Sequence, residues 1–96
     1  MKIGVDIDQT LIYTNSSYSI LGLNKKLIDR VNELYENGHT IIIMTGRHWD
    51  KLQLTKYQLE EAGIKYTTLT MGIPPCDIYV NDKMILPDEI ECLPVC

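Results

Sequence analysis

The stretch KIGVDIDQTLI, beginning at Lys2, sets two carboxylates, Asp6 and Asp8, at the end of a short apolar run. Ile3, Val5 and Ile7 suit a buried strand, whereas an unpaired buried carboxylate is costly. Two more apolar runs end the same way. TIIIM (40–44) leads into Thr45, Gly46 and Arg47, and DIYV (77–80) leads into Asn81 and Asp82. If these runs are parallel strands, their C-terminal ends share one edge. Carboxylates, a hydroxyl and a guanidinium then gather there. Clustered carboxylates repel one another, and a hard divalent cation such as Mg²⁺, which prefers oxygen ligands, resolves the conflict. Asp6 and Asp82 are the candidate ligands. Asp6 can also attack an electrophile, because a carboxylate nucleophile forming an acyl phosphate is known chemistry. Asp8, two residues on, is spaced to serve as acid and base for leaving group and water.

The intervening segments supply what must position these groups. Residues 2–7 read as a strand, and 13–23, rich in Asn, Ser and Gly, as a loop. Asn24 is a cap for a helix over KKLIDRVNELYENG, with Leu27, Ile28, Val31, Leu34 and Tyr35 on one apolar face and Gly38 as its stop. The unbroken run 40–44 suits a strand covered on both faces. A second helix is expected over 50–62, with Leu52, Tyr57 or Leu59 turned inward and Gly63 ending it. Strands are expected at 65–71 and 77–80, separated by the loop GIPPC, whose paired prolines exclude helix or central strand. This order, β-α-β-α-β-β, points to an α/β fold with a mainly parallel sheet. In such sheets ligands bind beyond the strands' carboxyl ends.

The bulk properties bound the rest. Ninety-six residues suggest one domain spanning 1–96. A composition 45% hydrophobic and 23% charged is that of an ordinary globular protein. No apolar run approaches the roughly 20 residues of a membrane helix, and MKIGVDI lacks the features of a signal peptide. A cytoplasmic location is the expectation. The net charge of −4 disfavours nucleic-acid binding. Three cysteines, Cys76, Cys92 and Cys96, are an odd number and argue for thiols rather than a disulfide framework.

The motifs together resemble those of the haloacid dehalogenase (HAD) superfamily, whose members are mostly Mg²⁺-dependent phosphotransferases. VDIDQT (5–10) matches the Asp-x-Asp-x-Thr motif that follows an apolar strand. IIIMTGR (41–47) matches the second motif, an apolar strand ending in Thr, and DIYVND (77–82) partly matches the fourth, an apolar strand ending in an acidic pair. The resemblance covers nearly the whole chain and implies a single Rossmann-like three-layer domain. It also implies residue roles. Asp6 is the phosphorylated nucleophile and a Mg²⁺ ligand. Asp8 is the general acid/base, and its backbone carbonyl is a second ligand. Thr45 hydrogen-bonds the transferring phosphoryl group, Asp82 is the acidic metal ligand with Asn81 beside it, and Thr10 braces the first loop. Gly46 and Arg47, following Thr45, are candidates for contacting substrate, as Thr10 is at the first loop.

Two departures stand out. Asn81 occupies the place of a frequent Asp, and Ile73 in GIPP (72–75) stands where small relatives often carry the third motif's Lys. Neither 11–23 nor the segment after Thr45 is long enough for a sizeable cap domain. A capless member implies an open site, covered by a neighbouring subunit in a homo-oligomer or used on large phosphorylated molecules. Small capless relatives of this look often resemble phosphatases of surface-sugar synthesis. The expected function is thus a Mg²⁺-dependent phosphatase acting on a phosphorylated metabolite, sugar or larger molecule. The alternative, motivated by Ile73 and Asn81, is a catalytically weak or inactive relative that binds a phosphorylated ligand or a partner protein.

Overall fold

The apolar run behind Asp6 forms β1 (Lys2–Asp6) in the computed structural model, which describes residues 1–72 and 76–80. Next come β2 (Ile12–Thr14) and β3 (Ile20–Leu23), then α1 (Lys25–Glu36) and β4 (Thr40–Met44). A single 3-10 turn at Trp49–Lys51 leads into α2 (Leu52–Glu61), followed by β5 (Thr68–Thr70) and β6 (Ile78–Val80). The chain is an α/β domain in which four strands form a parallel sheet in the order β5-β4-β1-β6.

Residues 13–14 and 20–23 lie in the stretch expected as a loop. They pair instead as an antiparallel hairpin, with Ile12 opposite Leu23 and Tyr13 opposite Gly22. Asn15 turns the chain between them, its side-chain oxygen accepting from the N–H groups of Ser17 and Ser19 at 2.9 and 3.0 Å. Such an Asx turn is local chemistry that Asn carries with it. The hairpin's short strands lack the apolar alternation by which strands announce themselves. The strand expected over 65–71 is likewise shorter, limited to Thr68–Thr70. The helix expected from 50 begins as α-helix at Leu52, after the 3-10 turn.

Asn24 caps α1 as expected, its side chain accepting from Leu27 N at 3.2 Å. The same amide donates to the Thr10 carbonyl at 3.1 Å, fixing the start of α1 to the loop after β1. Leu27, Ile28, Val31 and Leu34 are buried, while Tyr35 is exposed. On α2 the fully buried apolar residue is Leu59; Tyr57 faces solvent. These side chains pack with Ile3, Val5, Ile41 and Ile43 of the two central strands into one core.

The connections β1 to β4 and β4 to β5 step the same way across the sheet. Right-handed crossovers then place α1 and α2 on the same face. Asn32 of α1 joins the two, donating to Gly63 O at 2.9 Å and accepting from Lys65 N at 2.8 Å. The three-layer expectation turns on residues outside those described. After β5 the chain returns to the other side of β1, so the order reverses between β1 and β6. That switch lies beside Asp6.

Gly63 follows the last turn of α2 with a φ of 71°, the left-handed conformation a helix stop requires. An alanine Cβ there meets open space, so the cost of Gly63→Ala is conformational alone. Urea unfolding is expected to show a loss of about 1 kcal/mol.

No helix among the described residues is long and apolar enough to cross a membrane. Cys76 is half-buried, just before β6. Burial pushes its pKa up, and the neighbouring Asp77 adds to this against a smaller lowering by Lys2. Cys92 and Cys96 lie outside the described residues.

Candidate active site

Parallel pairing brings the first two motifs together. Asp6 is in register with Met44, so Thr45 follows one residue beyond, on the neighbouring strand's exit. On the other side Val5 pairs with Val80, where β6 ends. Asn81, Asp82 and Ile73 lie outside the described residues.

A tight turn carries the chain from Asp6 to the hairpin. The Ile7 carbonyl accepts from Thr10, Leu11 and Ile12 N–H groups at 3.1, 3.0 and 3.1 Å. To close it, Gln9 takes a φ of 62°, a region that L side chains other than Asn and Asp seldom occupy. Its amide donates to the Thr14 carbonyl at 2.8 Å, which offsets part of that strain. Thr10 is fully buried and braces the loop through its backbone. Its hydroxyl has no hydrogen-bond partner among the described residues. A buried, unsatisfied hydroxyl costs roughly 1–3 kcal/mol. Thr10→Val, which keeps the shape, is therefore expected to hold or raise stability by up to about 1 kcal/mol in thermal unfolding. A clear loss would mean that the hydroxyl is satisfied in solution.

Thr45 is buried, and its Oγ1 accepts from Arg47 N at 3.1 Å, tightening the turn after β4. Gly46 is exposed, and a Cβ added there would meet no atom within 4 Å. The backbone at this point therefore borders open space, as a surface that receives a ligand must.

Arg47 turns inward. Its side chain is 0% exposed and forks onto Asp8, with Nε at 3.0 Å from Oδ2 and Nη2 at 2.7 Å from Oδ1. Nη1 donates to Thr55 Oγ1 at 3.1 Å and to Gln58 Oε1 at 2.8 Å. The Tyr18 ring covers the guanidinium, its centroid 4.6 Å from Cζ, a cation–π distance. Thr14 Oγ1 donates to Asp8 Oδ1 at 3.0 Å. Bidentate, charge-assisted contacts of this kind are the strong ones and fix orientation as well as distance.

Thr14, Tyr18, Thr55 and Gln58 were not singled out from the sequence. One signal was present. Thr55 and Gln58 fall with Leu59 on the buried stripe of α2, where the helical period calls for apolar residues. Polar residues in such positions need partners inside. Lys65 pairs with Glu36, at the end of α1 that precedes β4.

For Mg²⁺ the donor chemistry fits in part. Both Asp8 side-chain oxygens are engaged by Arg47 and Thr14, and its backbone carbonyl is the oxygen that the resemblance assigns to a cation. Among the described residues no group of three or more His, Cys, Asp or Glu side chains gathers to hold a metal ion. Comparison of the chain with protein-family models, curated proteins and solved structures finds no match.

Proposed function

We propose that the chain is a phosphomonoester hydrolase of the HAD type, with a Rossmann-like core. The observation that carries the reading is the register of β1 with β4. It sets Asp6 and Thr45 side by side at the carboxyl edge of a parallel sheet, next to the switch in strand order. Bound Mg²⁺, held by Asp6, the Asp8 carbonyl and the pair Asn81–Asp82, would supply positive charge to the phosphoryl oxygens. The parallel run of β6, which ends opposite Val5, is the support for counting that pair.

The chain's own residues do the rest. The Asp6 carboxylate attacks phosphorus while the bond to the leaving oxygen breaks, and the Thr45 hydroxyl and the Gly46 backbone orient the phosphoryl group. Asp8, which enters this step protonated, passes that proton to the departing oxygen. The resulting carboxylate then takes a proton from water as that water attacks the aspartyl phosphate. Inorganic phosphate leaves and Asp6 is restored. Between β1 and α1 the described residues form only a short hairpin, which covers little of the site. Large phosphorylated molecules, or smaller ones covered by a neighbouring copy of the chain, are therefore the substrate classes.

The test is hydrolysis of an aryl phosphate with Mg²⁺, with chelator, and after Mg²⁺ is restored. Turnover that disappears and returns supports the reading; turnover indifferent to chelator overturns it. Folded protein with no turnover on aryl, sugar or protein-bound phosphates would favour a binding-only relative, the reading that Ile73 in place of the usual Lys favours.

A further inference from the structure

We propose that Arg47 is a positioning residue for Asp8 and that Gln58 couples this clamp to the tip of the hairpin, an inference that rests on the phosphatase reading. Arg47 lies two residues past Thr45, at the exit of β4. Its fork is committed to protein, with both nitrogens on one edge bound to the Asp8 carboxylate.

The partners at the other edge are themselves fixed. The Thr55 hydroxyl accepts from Arg47 and donates its proton to the Lys51 carbonyl at 2.7 Å. Gln58 accepts from Arg47 through Oε1 and donates through Nε2 to the Tyr18 carbonyl at 2.6 Å. Its amide therefore has one orientation only, since a flipped amide would face Nη1 with another donor. Tyr18, held at a φ of 63°, lays its ring on the guanidinium from the hairpin side.

The chain of contacts thus runs from the hairpin tip through Gln58 and Arg47 to the Asp8 carboxylate. An acid/base group must sit within hydrogen-bond reach of the leaving oxygen, and small misplacements are costly. The clamp decides where that carboxylate points. Its effect should be largest where protonation of the leaving group matters most.

The experiment compares 4-nitrophenyl phosphate, whose leaving group needs little protonation, with glycerol phosphate, whose leaving group needs much. Wild type, Arg47→Lys, Gln58→Leu, Asp8→Asn and the Arg47→Lys/Asp8→Asn pair are assayed, with Asp6→Asn as the blank. Lys keeps the charge but loses the fork. For Arg47→Lys, kcat on glycerol phosphate is expected to fall by about 100-fold and on the aryl ester by about tenfold or less, with KM little changed. Gln58→Leu is expected to show the same bias, more weakly, and provides the test if Arg47→Lys does not fold. In the Asp8→Asn background, Arg47→Lys should add nothing.

A raised KM with an unchanged kcat ratio would overturn the proposal and make Arg47 a substrate ligand. Equal losses on both esters would reduce it to a structural residue. Wild type no faster than Asp6→Asn would instead overturn the phosphatase reading itself.

Discussion

Asp6→Asn is expected to lower turnover of any substrate by about 10⁴-fold or more, equivalent to about 5 kcal/mol of lost transition-state stabilisation. The amide keeps the size of the carboxylate but has no charged oxygen to attack phosphorus. Asp6 ends β1 only partly buried, with its backbone in register with Met44. The variant should therefore fold, giving a far-ultraviolet spectrum like the parent's. Rapid acid quench with a labelled substrate provides the complementary reading: label should stay on the parent protein as an acyl phosphate and be missing from the variant. A variant that turns over at even a tenth of the parent rate would remove Asp6 from the chemistry.

Asp8→Ala has a second, purely structural consequence. It leaves the Arg47 guanidinium buried without its counter-ion. Breaking a buried pair on one side costs about 3–5 kcal/mol. The Asp8 side chain is 25% exposed, so water screens part of the interaction, and about 2–4 kcal/mol is the expected loss. For a domain of this size that corresponds to a fall in Tm of roughly 10–25 °C.

Asp8→Asn should cost less, because one oxygen still accepts from the fork. Adding Arg47→Met to Asp8→Ala should restore much of the loss, since the orphaned charge then disappears. A double-mutant cycle in urea measures this directly. A loss below about 1 kcal/mol for Asp8→Ala would mean that the ion pair is solvated rather than buried.

Much of the architecture is legible in the chain because its causes are local. The β-branched runs at 2–6 and 40–44 become the two central strands, and the spacing of Leu27, Ile28, Val31 and Leu34 becomes the buried stripe of α1. Asn24, Gly38 and Gly63 mark helix ends by capping and by left-handed backbone. The hairpin was less legible. Its strands are short, and their pairing depends on the Asn15 turn more than on any apolar pattern.

The same division applies within the site. By itself the sequence determined that carboxylates and a Thr fall at the ends of apolar runs, since strand patterning and residue chemistry are both local properties. It also determined that Arg47 lies two residues past Thr45. Only the tertiary structure decided that the sheet runs β5-β4-β1-β6, which sets Thr45 beside Asp6. Only it decided that Arg47 faces inward. The partners that turn it are Asp8 from the first loop, Thr55 and Gln58 from α2, and Tyr18 from the hairpin. A buried guanidinium goes where its donors are satisfied, and here the acceptors come together only once the chain has folded.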